Sequence, residues 1–278
     1  MADPTWNSKT APVVPRPRGA GWARVIWRGG LLAVLLGGGL VLMLLLRLVE
    51  RPFFGVDRPW TPHITVFVCR TAFRILGMGY VAHGHRMDRP GAVVANHSSW
   101  MDIFALNAGE RVYFVSKAEV ARWPGIGLLA KATGTVFINR DRREAAQQKA
   151  VFEERLGAGH KLLFFPEGTS TDGLRVLEFK PTLFAAFFSD ALKNTLWFQP
   201  VTVVYHAPEG ADPRFYGWWG DMEFGSHLLA VLAEARQGRV EVIWHDPVRV
   251  ADAPDRKTLA RLTEKAVADA HPSARAGV

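Results

Sequence analysis

His97 and Asp102 put an imidazole and a carboxylate five residues apart, in the stretch Asn96-His97-Ser98-Ser99-Trp100-Met101-Asp102. A histidine so placed can take the proton from a hydroxyl, while the carboxylate holds the ring in one tautomer and stabilises its charged form. The spacing alone selects nothing, because His83 and Asp88 have the same separation. Context separates the two pairs. The second follows the apolar run Ala92-Val93-Val94-Ala95, where a buried strand gives way to a helix. Ser98 reads as the N-cap of that helix.

Three later segments have the same form, a strand end or a turn after a strand that carries polar residues. Gly134-Thr135-Val136-Phe137-Ile138-Asn139-Arg140 delivers a guanidinium, Phe165-Pro166-Glu167-Gly168-Thr169-Ser170 turns sharply, and Gln199-Pro200-Val201 interrupts a strand with proline. Ligands of open α/β sheets collect outside the carboxyl ends of strands, so His97, Arg140 and Glu167 are expected to converge. Gly125-Ile126-Gly127 imitates a dinucleotide fingerprint, but Pro124 precedes it instead of a strand. The chain has no P-loop and no Gly-x-Ser-x-Gly elbow, which argues against nucleotide hydrolysis and an α/β-hydrolase.

The elements that must position these residues alternate along the chain. Strands are expected at 80–83, 92–95, 112–115, 135–138, 161–165, 196–205 and 240–245. Helices are expected at 99–107, 118–131, 142–157, 180–192, 222–236 and 256–270. This order predicts an α/β domain over 81–278, with a mostly parallel central sheet flanked by helices.

The N-terminal part differs in composition. Residues 1–21 carry four prolines among polar and small residues and read as a disordered leader. Residues 22–80 read as a membrane-associated two-helix segment. Gly29 to Leu46 is an eighteen-residue run without a charge, closed by Arg28 and Arg47. That is near the minimum for crossing a bilayer, for which about 20 residues are usual, and both a single span and a dip into one leaflet fit. No cleavage pattern follows the run, which disfavours a signal peptide. In the next helix Arg70 and Arg74 share one face and Val68, Ala72, Ile75 and Leu76 the other; it reads as a headgroup-layer helix or as an amphipathic core helix. Of the net charge of +8, residues 1–60 hold eight Lys/Arg against three acids. A basic surplus that brackets an apolar helix points to anionic lipid and away from nucleic acid. Single Cys69 excludes an internal disulfide and a Cys-based zinc site, and no metal is expected.

Taken in order, the four segments resemble the sequence blocks of the glycerolipid acyltransferases of the lysophosphatidic acid acyltransferase type. The matches are Asn96-His97-(x4)-Asp102, Gly134-(x2)-Phe137-Ile138-(x)-Arg140, Phe165-Pro166-Glu167-Gly168-Thr169 and Pro200-Val201, across roughly residues 25–250. The resemblance implies transfer of a fatty acyl group from an acyl carrier protein or coenzyme A thioester to the free hydroxyl of a lysolipid, with no other cofactor. It implies His97 as the base and Asp102 as its partner. Arg140 would meet an anionic headgroup, Glu167 the acceptor, and Lys117 the acceptor or the donor's phosphate. Backbone N–H groups around Gly168 and Thr169 are candidates for an oxyanion site. Lys180 also falls where that family often has lysine. The implied place is the bacterial inner membrane, with the catalytic domain on the cytoplasmic side.

Two departures bear on the acceptor. Where the family's third block commonly has arginine, this chain has Ser170, which suits a zwitterionic headgroup better than a phosphate monoester. The segment Tyr216-Gly217-Trp218-Trp219-Gly220-Asp221-Met222 resembles one in bacterial lyso-ornithine lipid acyltransferases. Lyso-ornithine lipid is therefore the first expected acceptor, with lysophosphatidic acid possible for the same enzyme. The alternatives are a dedicated 1-acylglycerol-3-phosphate acyltransferase and a catalytically silent lipid-binding protein, with a lipid hydrolase below both. Trp6, Trp22 and Trp27 read as interfacial anchors.

Overall fold

The computed structural model describes residues 5–10, 12–139, 145–189 and 192–274. Two helices, α1 (Ala20–Phe54) and α2 (Thr61–Leu76), precede the sheet. The strands are β1 (Gly79–His83), β2 (Gly91–Ala95), β3 (Tyr113–Lys117), β4 (Val136–Ile138), β5 (Leu162–Phe164), β6 (Trp197–His206), β7 (Arg239–Trp244) and β8 (Val248–Arg249). Helices α3 (Asp102–Gly109), α4 (Ile126–Thr133), α5 (Ala145–Gly157), α6 (Phe224–Ala233) and α7 (Arg256–Ala270) connect and cover them. The sheet runs β1-β7-β6-β2-β5-β3-β4, with β8 added alongside β6. Only the β6–β7 and β6–β8 pairings are antiparallel among the described residues. The α/β class with a mostly parallel sheet is as expected.

All five residues of β2 are buried, as a strand flanked by β5 and β6 and covered on both faces must be. Its parallel neighbours bring the carboxyl ends of β2, β3, β4 and β5 to one rim. The apolar side chains divide into two clusters. One holds Val93, Leu163, Val203 and Val242, the other Val94, Phe164, Phe184 and Phe198. Adjacent residues on β2 fall in different clusters because side chains alternate across a strand. Pro200 sits within β6, opposite Val94 of β2. Its carbonyl accepts the His245 N–H (3.1 Å), so its missing N–H falls between the β8 and β7 pairings, where no ladder bond is lost. Gln199 beside it is a brace, donating to the carbonyls of His85 (2.7 Å) and His245 (2.9 Å) and accepting the Met87 N–H (2.9 Å).

Several boundaries differ from expectation for local reasons. The helix expected at 118–131 is a 3₁₀ turn, Ala118–Arg122, followed by α4, because Pro124 and Gly125 (φ 71°) break it. The helix expected at 180–192 is a 3₁₀ segment, Pro181–Phe188, shaped by the packing of Phe184 and Phe187 into the core. Residues 190–191, and 142–144 of the helix expected at 142–157, lie outside the described residues. The two-residue β8 was not foreseen.

The helix α1 is long and apolar enough to cross a bilayer, with a mean hydropathy of 2.5 over its best window. Near its start, Arg24 Nε donates to the Ala233 carbonyl (2.7 Å) and Arg28 to the Leu232 carbonyl (3.0 Å), capping the C-terminal end of α6. These arginines therefore hold α1 to the α/β domain, a use beyond the lipid attraction expected for them. Farther along, Gly39 lies so near Val68 of α2 that a Cβ there would stand 2.7 Å from Val68 Cγ2. Fully buried Glu50 accepts from Trp60 N–H (2.8 Å), Thr61 N–H (3.1 Å) and Thr61 Oγ1 (2.8 Å), capping the start of α2. In α2, Arg70 and Arg74 are exposed as expected, while Cys69, Phe73 and Leu76 pack in the main core. The core-helix alternative therefore describes α2. Trp27, Val34, Leu45, Leu48 and Phe53 leave an outward apolar face on α1.

Candidate active site

Asn96 continues β2 by one rung with its side chain. Its Nδ2 donates to the Val203 carbonyl (2.9 Å) and its Oδ1 accepts the Val203 N–H (2.8 Å), imitating a strand pair with β6. The chain then leaves the sheet at His97. The loop is tied down from both sides: Thr171 N–H donates to the His97 carbonyl (2.9 Å) and Trp218 N–H to the Ser98 carbonyl (2.8 Å).

His97 Nδ1 and Asp102 Oδ2 are 2.7 Å apart. An ionised carboxylate only accepts, so Nδ1 carries the ring proton and Nε2 presents its lone pair. The His97 side chain keeps 21% exposure while Asp102 has none. Phe165 stacks on the imidazole at 4.0 Å between centroids and 7° between planes, fixing the ring from its face. Asp102 Oδ2 also accepts the N–H of Ser98 (2.8 Å) and Ser99 (3.0 Å), and Oδ1 accepts the Tyr205 hydroxyl (2.8 Å). A fully buried carboxylate needs this many donors to stay charged. This capture explains why α3 begins at Asp102: Ser98 is not its N-cap, because Ser98 and Ser99 form the turn that the carboxylate gathers. Burial and the neighbouring Asp102 charge push the Tyr205 phenol well above its ordinary range, so it stays a donor.

Glu167, at the third turn, is 1% exposed. Its Oε1 accepts the His97 N–H (3.2 Å), its Oε2 has no close hydrogen bond among the described residues, and the Leu177 N–H also faces this carboxyl. Burial pushes this carboxyl well above the usual range, opposed by the His97 N–H and reinforced by Asp102. Glu167 thus sits behind the histidine as a brace of its backbone. Gly168 takes φ 74°, and its N–H donates to the Phe165 carbonyl (3.1 Å). That donor is engaged in the turn, which removes it from the oxyanion candidates. A Cβ on Gly168 would stand 2.7 Å from Lys180 Nζ, which places Lys180 directly over this turn. Thr169 Oγ1 accepts the Trp6 N–H (3.2 Å).

Lys117 ends β3 in register with Ile138, which ends β4, so both belong to the rim that carries His97. Arg140 lies outside the described residues. The arrangement unites His97, Asp102, Glu167, Gly168 and Thr169 and offers an imidazole lone pair at the edge of a buried sheet. Tyr205 and Phe165 escaped sequence reasoning. Phe165 was in view as part of the third block, but nothing local indicated stacking, and Tyr205 lies in an apolar strand 103 residues from its partner.

Comparison with known proteins identifies the family. The family model described as Acyltransferase matches residues 77–204. A lyso-ornithine lipid O-acyltransferase of Rhodobacter capsulatus is 57% identical over 267 residues, 96% of this chain and 97% of that protein. A 1-acyl-sn-glycerol-3-phosphate acyltransferase of Neisseria gonorrhoeae is 43% identical over 93 residues, 33% of this chain and 36% of that protein. The crystal structure of the 1-acyl-sn-glycerophosphate (LPA) acyltransferase PlsC from Thermotoga maritima shares the fold. Its TM-score is 0.62 at 22% identity, covering 93% of this chain and 97% of that one. The chain belongs to the acyltransferase family and is an enzyme that transfers acyl groups to lysolipids.

Proposed function

We propose that the acceptor is lyso-ornithine lipid and the product ornithine lipid, with an acyl carrier protein or coenzyme A thioester as donor. The observation that carries this choice is the 57% identity to a lyso-ornithine lipid O-acyltransferase over nearly the whole of both chains. The glycerophosphate enzyme of Neisseria gonorrhoeae matches over a third of the chain only. That match and Arg140 support lysophosphatidic acid as a second acceptor.

In this reading His97 Nε2 takes the proton of the acceptor hydroxyl as its oxygen bonds to the thioester carbonyl carbon. Asp102 steadies the resulting imidazolium. The Thr169 N–H is the candidate donor to the tetrahedral oxyanion, since the Gly168 N–H is spent on Phe165. Collapse breaks the carbon–sulfur bond, and the imidazolium returns its proton to the leaving thiolate. Lys117, at that rim, and Arg140, named from the sequence alone, are the candidate cationic partners for donor and acceptor. No acyl-enzyme forms in this reading, in keeping with the lack of an activated serine or cysteine at His97 among the described residues.

The outward apolar face of α1 supports membrane association; in this reading the membrane is the bacterial inner one and the α/β domain lies on its cytoplasmic side. Because α1 is tied to the domain at Arg24 and Arg28 and packs on α2 at Gly39, we favour a helix lying in one leaflet over a span. The test offers purified enzyme both lysolipids in mixed micelles, with each thioester donor. Ester formation on lyso-ornithine lipid is the expected result; acylation of lysophosphatidate alone refutes the acceptor choice. Cellular lipids unchanged by His97→Ala would support a silent lipid-binding protein instead.

A further inference from the structure

The leader does not behave as its composition suggests. Pro15, Pro17 and Arg18 line one cavity with Phe215 and the end of α6. Arg214 Nη1 donates to Thr10 Oγ1 (2.7 Å). Asn7 meets Gly220, and Trp6 N–H reaches Thr169 Oγ1 (3.2 Å). Trp6, Asn7 and Thr10 therefore lie along residues 214–220 and the turn that follows Glu167. Trp6 is no interfacial anchor here: it is half-buried on the catalytic domain.

Around Trp6 two aromatic rings and two ion pairs form layers. Trp6 and Trp219 meet edge to face, with centroids 6.4 Å apart and planes at 60°. Arg175 lies over Trp6 (5.0 Å) and grips buried Asp172 with two hydrogen bonds of 3.0 Å. Arg214 lies over Trp219 (5.7 Å) and grips Asp212 at 3.0 and 2.7 Å. Both flanks of this wall adjoin the base. The residue before Asp172 donates its N–H to the His97 carbonyl, and the residue before Trp219 donates to the Ser98 carbonyl. Gly217 is closely fitted too, since a Cβ there would meet the Asp172 carbonyl oxygen at 2.6 Å.

Each guanidinium here is matched by a carboxylate, so the wall is close to neutral overall and alternates in sign. A doubly charged phosphate gains little from it. A headgroup with one ammonium and one carboxylate gains more, the ammonium on an indole face and the carboxylate on a guanidinium edge. We infer that residues 5–10 form the outer wall of the acceptor-headgroup site, where half-buried Trp6, backed by buried Trp219 and flanked by Arg175 and Arg214, selects a zwitterionic headgroup. This inference rests on the acceptor proposed above and assigns the residues that recognise it.

The test uses full-length enzyme in mixed micelles at saturating thioester. It compares the wild type with Trp6→Ala, Trp6→Phe and a chain lacking residues 2–10. For Trp6→Ala and the shortened chain, KM for lyso-ornithine lipid should rise about tenfold, the scale of one lost cation–aromatic contact. Turnover at saturation and KM for the thioester should stay near wild type, and Trp6→Phe should recover most of the loss. The ratio of kcat/KM between lyso-ornithine lipid and lysophosphatidate should fall with the KM effect. An unchanged ratio, whether both acceptors suffer equally or neither does, overturns the wall and leaves the acceptor choice intact. A wild-type enzyme inert on lyso-ornithine lipid overturns both, and does so before any variant is compared.

Discussion

Asp102→Asn separates two duties that one carboxylate performs. The first is mechanical: Oδ2 gathers Ser98 N–H (2.8 Å) and Ser99 N–H (3.0 Å), and Oδ1 takes the Tyr205 hydroxyl (2.8 Å). The second is electrostatic, through the 2.7 Å contact with His97 Nδ1. An asparagine has one acceptor oxygen and one donor nitrogen, and only one orientation serves. Its oxygen must replace Oδ2, because an NH₂ group there would face two backbone donors. Its nitrogen then faces the Tyr205 hydroxyl, which can rotate to accept. The turn survives and the charge is lost. Two unit charges about 4 Å apart interact by roughly 4 kcal/mol at an effective dielectric constant near 20. That energy develops as the imidazolium forms, so kcat should fall about a thousandfold while KM for the lysolipid stays nearly constant. Initial rates of labelled acyl transfer measure this, with thermal unfolding as the control. Asp102→Ala should lose the turn as well and unfold at distinctly lower temperature. An Asn variant within about tenfold of wild-type kcat would refute the electrostatic role and leave Asp102 as a loop brace only.

Three further outcomes follow from the same neighbourhood. Tyr205→Phe removes one hydrogen bond to a buried carboxylate and should destabilise the fold by about 1.5–3 kcal/mol, seen as a lowered unfolding temperature; no change would mean that Asp102 does not need this donor. Gly168→Ala forces a side chain into φ 74° and against Lys180, costing about 1–3 kcal/mol and moving the Thr169 N–H; chemical denaturation and rate measurements read the two effects. Glu167→Gln should reshape the dependence of stability on pH. Below the unfolded-chain value of about 4.3 both states hold the proton. As pH rises above it the unfolded chain releases the proton while the folded chain, with its raised pKa, keeps it. Wild-type stability therefore drops until the folded pKa is passed, and the glutamine variant should gain relative to wild type over that range. A constant difference between the two proteins at every pH would contradict a neutral buried Glu167.

What could be read from the sequence is what depends on short-range pattern. Ala92–Ala95 and Leu162–Phe164 are buried on both faces, so each is a short apolar run, and the polar residues after them mark the rim. His97 and Asp102 lie on one turn, and no distant residue is needed to bring them together. Long-range fitting was not readable. Nothing near Tyr205 signals that its hydroxyl serves Asp102, and nothing near Asn96 signals that its amide replaces a backbone pair with Val203. The leader has a composition typical of disorder, yet one indole and a few polar contacts suffice to seat it, because the surface it meets is already shaped by residues 214–220. The helix expected at 118–131 is interrupted at Pro124, a breaker present in the sequence whose local effect outweighs the apolar pattern around it.

The side-chain clip from Asn96 to Val203 joins residues 107 positions apart. Of the two strands that enclose β2, β6 is the later to be synthesised. During translation α1 therefore leaves the ribosome long before β6 exists to hold the loop that bears His97. The sheet that holds this loop is therefore complete only once the last third of the polypeptide has been made.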